Sequence, residues 1–152
     1  MSDNTNYSLR PARQEDQSTI RSLVRSAGLN PLGLDWPHFT MAVDADGVVI
    51  GCVQLKPHRD GSMELASLLV VEGWRGRGVA RTLIEAAVAA HDGTLYLMCR
   101  PELESLYRKF GFIPLPKEEM PPYFRRITRL VKVIRGLFKP MEGPLIMRRE
   151  IE

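Results

Sequence analysis

A predicted strand that leads into a glycine-rich loop and then a helix is the feature that most constrains this chain. Residues 63–71 (MELASLLVV) are mostly apolar and predict a strand that is buried on both faces. Residues 74–83 (WRGRGVARTL) follow it with two glycines and three arginines. Apolar residues at helical spacing predict a helix over about 77–90, so the loop meets a helix N-terminus. Such a junction attracts anions, because its N–H groups and the helix dipole present positive charge.

The remaining pattern predicts an α/β chain in which helices and strands are mixed. The turn at Asp46-Gly47 separates two apolar runs and predicts a β-hairpin. Strands are predicted at 7–12, 39–43, 48–55, 63–71, 94–99, 112–115 and 144–151, and helices at 15–27, 77–90, 101–110 and 123–138. We expect one α/β (α+β) domain over residues 1–152, with a mixed, mostly antiparallel sheet of six to seven strands flanked by helices. Residues 1–6 are predicted to form a flexible tail, and about 116–140 a helical insert before the last strand.

Composition and sparse ligand-type residues exclude several classes of protein. Hydrophobic residues are 44% and charged residues 26%, as in ordinary globular domains, and no apolar run nears the length of a membrane span. Cys52 and Cys99 form no CxxC pair, which predicts reduced core thiols and a cytoplasmic location. The three histidines are far apart in the sequence, so no metal site is expected.

Three nucleotide-binding patterns could describe the glycine-rich loop, and its sequence does not match two of them. A Walker A loop needs Gly-Lys-Ser/Thr, and a dinucleotide fingerprint needs a third small residue where this chain has Arg81. Residues 75–80 (RGRGVA) instead fit R-x-x-G-x-A, which resembles the Q/R-x-x-G-x-G/A signature of the GCN5-related N-acetyltransferases (GNAT superfamily). Residues 106–112 (LYRKFGF) resemble the L-Y-x-x-x-G-F segment of the same family. The resemblance covers about residues 40–115, and the order of elements agrees with it.

This resemblance implies acetyl-coenzyme A as co-substrate, with no metal. The loop backbone would hold its diphosphate, and the end of the preceding strand would pair with the pantetheine arm. The cofactor-binding residues carried over from the family pattern are Leu69, Val70, Arg75, Gly76, Arg77, Gly78, Val79, Ala80 and Arg81. The arginine side chains could instead point away and only solvate the loop.

The resemblance also implies two catalytic residues. Tyr107 matches the general acid that protonates the departing sulfur, although it could also serve only as an aromatic anchor of its helix. Glu64 matches the general base of one branch of the family, and strand alternation groups it with Ala66, Leu68 and Val70. Glu64 could equally be an exposed carboxylate at a strand start, with a water chain as the base. Many relatives carry an asparagine shortly before the tyrosine helix, and residues 99–102 (CRPE) lack it.

The sequence says less about the amine that accepts the acetyl group than about the coenzyme that donates it. Residues 27–52 are similar to small bacterial amino-acid (N-acetylglutamate-synthase-like) acetyltransferases, which implies a small-molecule primary amine. A protein or peptide N-acetyltransferase and a catalytically silent cofactor- or partner-binding module stay open as alternatives. Residues 121–140 carry six cations and no acid. This segment is expected to be the solvated face of a helix packed over the core rather than a nucleic-acid site, and it could contribute with the last strand to a homodimer.

Overall fold

A computed structural model of the protein describes residues 6–138 and 143–150. Most of the predicted tail, the end of the predicted insert at 139–140 and the end of the last predicted strand at 151 lie outside these residues. The chain divides into two compact units. The first takes the described residues of Met1–Lys56 and Leu65–Ala90, and the second takes those of Pro57–Glu64 and His91–Glu152. The assignment of residues 1–152 to a single domain stays a prediction.

Residues 6–138 and 143–150 form seven strands and four α-helices, and three of the strands follow one another after the first helix. The strands are β1 (Tyr7–Pro11), β2 (Phe39–Asp44), β3 (Val49–Pro57), β4 (Met63–Val70), β5 (Leu95–Cys99), β6 (Ile113–Pro114) and β7 (Leu145–Arg149). The helices are α1 (Gln17–Ser26), α2 (Val79–Ala89), α3 (Glu104–Arg108) and α4 (Pro122–Phe138). The strands are hydrogen-bonded in the order β1-β2-β3-β4-β5-β7-β6.

Strand directions make the sheet mixed and mostly antiparallel. β1 pairs with β2, β2 with β3, β5 with β7 and β6 with β7 in antiparallel fashion. β4 and β5 run parallel, with Met63 opposite Leu95 and Glu64 opposite Tyr96. The predicted fold class, a sheet of six to seven strands flanked by helices, is therefore confirmed.

The first unit is built around one apolar cluster. α1 contributes Ile20 and Val24, which lie one helical turn apart on one face and are fully buried. β2 contributes Phe39, Met41 and Val43, the alternate residues that face the same side of the strand. Gly28 follows α1 and has φ 69°. Helices often end at a residue in this left-handed conformation, and glycine adopts it most easily.

The second unit has its own core, and α4 lies over it through its first turns. Phe124 is fully buried and packs with Leu115, Met120 and Ile146. Tyr96, Met98 and Tyr123 pack against this cluster from its edge. The N-terminal half of α4 therefore packs against the core of the second unit.

The rest of α4 corrects one expectation. Leu130 and Ile134 are 55% and 50% exposed, although helical spacing predicted that this helix packs its apolar face over the core. Helical periodicity identifies an apolar stripe but not what covers it. The prediction that the whole stripe packs on the core is wrong for these residues.

β4 differs from its prediction in two ways. Only Glu64 and Leu65 are buried, whereas the remaining residues of the strand are half-buried, so burial on both faces was wrong. Ser67 has φ 54°, an uncommon backbone conformation for a residue with a Cβ atom. The regular alternation predicted through Glu64, Ala66, Leu68 and Val70 is therefore broken at Ser67.

Candidate active site

The glycine-rich loop of the first unit ends in an open helix N-terminus. A short 3-10 turn (Glu72–Trp74) follows β4, and Gly76 and Gly78 then adopt φ values of 78° and 83°. A Cβ atom at either glycine would meet no atom of the described chain within 4 Å, so backbone conformation rather than crowding requires glycine. The first intrahelical hydrogen bond of α2 runs from Thr82 N to Gly78 O, 3.1 Å. The preceding N–H groups have no intrahelical partner and fit an anionic group such as a diphosphate.

β1 holds this loop in place through Tyr7. The Tyr7 hydroxyl lies 2.8 Å from Thr82 Oγ1 and donates to Gly78 O at 3.3 Å. Thr82 Oγ1 donates to the same carbonyl at 2.9 Å. The Tyr7 ring also meets Trp74 edge to face, with centroids 6.0 Å apart. Both the beginning of the loop and its junction with α2 are thereby anchored to β1.

The three loop arginines are engaged with the protein itself. Arg75 Nε donates to Val70 O at 3.1 Å, and the Arg77 guanidinium lies over the Trp74 ring at 4.6 Å. Arg81 forms an exposed ion pair with Glu85, one helical turn further along α2, at 2.8 Å. In this arrangement the open backbone, more than the arginine side chains, makes the loop suited to an anion.

β3 and β4 approach closely where Gly51 faces the end of β4. A Cβ atom on Gly51 would lie 2.8 Å from Leu69 O, and it would also touch Val79 and Leu83 of α2. Val71 N donates to Ile50 O at 2.9 Å. The absence of a side chain at Gly51 therefore lets β3, the end of β4 and α2 pack together beside the glycine-rich loop.

Glu64 lies in the second unit as a buried carboxylate. It is 5% exposed, which excludes the alternative of an exposed carboxylate at a strand start. Its Oε1 lies 2.8 Å from Nε2 of His58, and the two side chains are 7% and 8% exposed. When Glu64 is ionised its carboxylate can only accept, so the His58 ring nitrogen is then the donor of this hydrogen bond.

Aromatic rings from the start of α4 enclose the His58 imidazole. Tyr123 stacks on it with centroids 3.6 Å apart and planes 19° apart, and Phe124 meets it edge-on at 5.8 Å. Asp60, in the same turn as His58, accepts a hydrogen bond from Tyr123 N at 3.0 Å. Burial, and then the charge of Glu64, raise the pKa of Tyr123.

Tyr107 also lies in the second unit, on α3, and is 6% exposed. Its ring packs edge-on against Phe112, with centroids 6.0 Å apart. Burial, and to a lesser degree Cys99, raise the pKa of Tyr107 to about 12. The phenol therefore stays protonated at neutral pH, and among the described residues no group hydrogen-bonds its hydroxyl. At the position of the missing asparagine, Arg100 is exposed and lies 4.0 Å from Glu102.

The segment between α1 and β2 is fixed by side chains of the first unit. Gln54 is fully buried and donates to Gly33 O at 2.7 Å, while its Oε1 accepts from Ser67 Oγ at 3.0 Å. Lys56 donates to Leu32 O at 2.6 Å. Gln17 binds both Leu34 O and Trp36 N. This loop therefore has a defined conformation although most of it faces solvent.

Two kinds of site find no support among the described residues. No group of three or more His, Cys, Asp or Glu is placed to hold a metal ion in the described chain. No helix in residues 6–138 or 143–150 is long and apolar enough to cross a membrane.

Sequence reasoning missed His58 and Tyr123, which the structure brings to Glu64. His58 and Glu64 are on either side of a tight turn, in which His58 N donates to Ser62 O at 2.9 Å and Gly61 has φ 87°. Asp60-Gly61, a common turn pair, lies between the strands predicted at 48–55 and 63–71, and a hairpin pairing across it would have placed His58 near Glu64. Tyr123 comes from about 60 residues further along the chain, and no local pattern predicts its contact.

Comparisons with known proteins give one family match and several matches of fold. Residues 35–114, more than half of the chain, match the family described as "Acetyltransferase (GNAT) domain". The fold resembles N-acetylglutamate synthase from Neisseria gonorrhoeae complexed with coenzyme A and N-acetyl-glutamate, with a TM-score of 0.71 and 20% identity. That match covers 96% of this chain and 35% of the synthase, so the protein spans about a third of the synthase's length.

Two further solved structures match over most of the chain. Rv2747 from Mycobacterium tuberculosis, in complex with CoA and NLQ, has a TM-score of 0.70 and 17% identity, covering 95% of this chain and 99% of that one. A chain of the NatC complex bound to Gag peptide and CoA has a TM-score of 0.66 and 20% identity, covering 97% and 100%. At these identities the likenesses establish the fold, and the match over residues 35–114 establishes the family. The chain belongs to the GNAT acetyltransferases.

Proposed function

We propose that the protein is an acetyl-coenzyme A-dependent N-acetyltransferase that acetylates the primary amine of a small molecule by direct attack in a ternary complex. The observation that carries this proposal is the loop from Arg75 to Ala80 in a GNAT domain. Its two left-handed glycines lead into an α-helix whose first N–H groups are open. This is the backbone arrangement that binds a diphosphate.

Each predicted cofactor-binding residue has a role in this proposal. Backbone N–H groups between Arg75 and Ala80 hold the diphosphate, and Ala80 keeps the first helical turn narrow. Leu69 and Val70 offer backbone groups to the pantetheine arm, as one strand does to another. Since Arg75 already occupies the Val70 carbonyl, the arm pairs with other backbone groups or displaces that side chain. Arg77 and Arg81 supply positive charge near the loop.

The proposed chemistry assigns one proton transfer to Glu64 and one to Tyr107. Glu64 accepts a proton from the ammonium group, which frees the nitrogen lone pair to attack the thioester carbon. A C–N bond forms and the C–S bond breaks, and Tyr107 donates its proton to the departing sulfur. The nitrogen loses a second proton as the amide forms, which replaces the one that Tyr107 gave. One proton is released overall, from Glu64 to solvent.

An amino acid or a similar small amine is the proposed acceptor. Two observations support this proposal: the fold resembles a synthase complexed with N-acetyl-glutamate, and Gln17 and Gln54 hold the loop around Gly33 and Leu34, which would contact the acceptor. The buried free thiols Cys52 and Cys99 fit the cytoplasmic location predicted from the sequence. A homodimer stays a prediction.

An acceptor screen by coenzyme A release tests this proposal. Free amino acids, polyamines and peptides with a free N-terminus or lysine would be compared at equal concentration with acetyl-coenzyme A. Release with a free amino acid or polyamine supports the proposal, whereas release with peptides alone would move the acceptor class to peptides. Thermal protection by coenzyme A without release for any amine would instead favour a catalytically silent binding module.

A further inference from the structure

The cluster around His58 points to a role for that residue. We propose that His58 is a positioning residue that fixes the Glu64 carboxylate for its role as proton acceptor, and that Tyr123 at the start of α4 clamps His58. This inference rests on the proposed function, in which Glu64 takes a proton from the amine. It adds two residues that neither the family pattern nor the local sequence identifies.

The carboxylate of Glu64 is held at one oxygen and open at the other. Oε1 accepts from His58 Nε2 at 2.8 Å. Among the described residues, no hydrogen bond or ion pair joins Oε2 of Glu64 to the protein, and Oε2 is not a fully enclosed atom. The contact with His58 therefore orients the carboxylate and leaves one oxygen to accept a proton.

Burial makes a hydrogen-bond partner important for the Glu64 carboxylate. A buried carboxylate without a partner is strongly disfavoured and takes up a proton instead. The hydrogen bond from His58 stabilises the ionised form, which is the form that can accept a proton from an ammonium group. Loss of His58 would leave the Glu64 carboxylate without this partner and poorly oriented to accept that proton.

Tyr123 fixes the imidazole through its ring and through its backbone. The ring stacks on His58, while the backbone N–H is held by Asp60, two residues after His58. Asp60 also accepts from Ser62 N at 2.9 Å and from Ser62 Oγ at 2.6 Å. The turn that carries His58 is thus tied to the first turn of α4. Phe124, whose ring lies 5.4 Å from that of Tyr96, encloses the imidazole edge-on.

Two substitutions at His58 separate the hydrogen bond from the stacking. His58→Gln keeps an N–H donor and loses most of the ring contact, whereas His58→Phe keeps a ring against Tyr123 and loses the donor. His38→Gln removes an exposed histidine and is the matched control. Coenzyme A binding and thermal unfolding of each variant show whether the protein is folded.

The first readout uses no turnover. In ¹⁵N-labelled protein we expect a slowly exchanging Nε2–H proton on His58, which shifts in Glu64→Gln and exchanges faster in Tyr123→Leu. A His58 signal that neither substitution changes would overturn the inference whatever the activity is. If these shifts were seen in a protein that acetylates no amine, the contact between His58 and Glu64 would be supported and the proposed function would be contradicted.

The second readout is steady-state kinetics with acetyl-coenzyme A and the amine that gives the highest coenzyme A release in the screen. We expect His58→Phe to lower kcat about tenfold or more, as for loss of a hydrogen bond to a charged group, with the KM for acetyl-coenzyme A unchanged. His58→Gln should recover most of that loss, and His38→Gln should match the wild type. Equal kcat in His58→Phe and the wild type would contradict the inference. Normal turnover in Glu64→Gln would instead show that Glu64 is not the base.

Discussion

The Tyr7 hydroxyl lies 2.8 Å from the Thr82 hydroxyl and 3.3 Å from the carbonyl oxygen of Gly78, to which Thr82 Oγ1 donates at 2.9 Å. This carbonyl belongs to the peptide group that immediately precedes α2. Together with the hydrogen bond from Thr82 N, these contacts restrict the rotation of that peptide group and so orient the next N–H. A strand at the start of the chain thus orders the proposed diphosphate site more than 70 residues later.

Tyr7→Phe should therefore weaken coenzyme A binding without unfolding the protein. The ring contact with Trp74 is kept, and one or two hydrogen bonds are lost, so we expect an affinity about fivefold lower. Calorimetric titration with coenzyme A measures this loss. Binding of acetylpantetheine, which has no diphosphate, serves as the control and should not change. An equal loss for both ligands would contradict a role confined to the loop.

Gly78→Ala should lower both stability and coenzyme A affinity. Gly78 has φ 83°, and a Cβ atom in the left-handed region costs about 1–2 kcal/mol. Gly61→Ala is a matched control, because Gly61 has φ 87° and equally open surroundings in the turn between β3 and β4. Chemical denaturation should show similar losses of unfolding free energy for the two variants. If Gly61→Ala weakened coenzyme A binding as much, the loop would have no special part in it.

Tyr107→Phe should reduce kcat about a hundredfold while coenzyme A binding is kept, since a general acid acts on the chemical step. With its pKa raised to about 12, Tyr107 holds its proton across the neutral range and up to that pH. The rate should therefore show no alkaline decline from Tyr107 until the pH nears that value. Tyr96→Phe, a change at a half-buried tyrosine, is the control. Unchanged kcat in Tyr107→Phe would leave Tyr107 as an aromatic anchor only.

Asp16→Asn should destabilise the protein by about 1–2 kcal/mol at neutral pH. Asp16 is buried and accepts from Arg10 at 2.7 and 3.0 Å, and these hydrogen bonds lower its pKa. A lowered folded-state pKa gives stability that is present above the unfolded pKa and disappears as the pH falls through the folded one. The difference between wild type and variant, measured by urea unfolding, should thus shrink in acid. Asp92→Asn, at an exposed position, should show no such difference.

The two cysteines should react slowly with a thiol reagent in the native protein. Burial raises the pKa of Cys52 to about 12 and, together with nearby acidic residues, that of Cys99 to about 11. Few thiolates are present at neutral pH, and the thiolate is the reactive form. Addition of a chromogenic disulfide should therefore label both only after denaturant is added. Rapid labelling without denaturant would contradict this, and it would also interfere with a thiol-based assay of coenzyme A release.

Local signals predicted the fold well because most elements here are defined by short patterns. Glycines with positive φ mark the turns at Gly47 and Gly61 and the end of α1 at Gly28. Apolar runs between these positions become the strands of the sheet. The second half of α4 was predicted less well, because its apolar residues look the same in sequence whether a core covers them or not.

The candidate site was predictable where it is contiguous in sequence. The proposed diphosphate loop is one short segment, and Tyr107 lies within a short local pattern at residues 106–112. The neighbours of Glu64 were not predictable, since Tyr123 reaches His58 only through the tertiary position of α4. The left-handed backbone of Ser67 was not predictable either, because a serine within an apolar strand usually has an ordinary extended conformation.

Gln54 has a consequence for redesign of this protein. Its side-chain amide is buried, with the carbonyl committed to Ser67 and the nitrogen to Gly33, so reversing the amide would break both bonds. Gln54→Glu would lose the N–H donor to Gly33, and Gln54→Leu would lose both the donor and the acceptor. To reshape the loop around Gly33 for a new acceptor, the exposed residues of the loop are the positions to vary. Gln54 is the residue to keep, because its side chain joins the loop to the sheet.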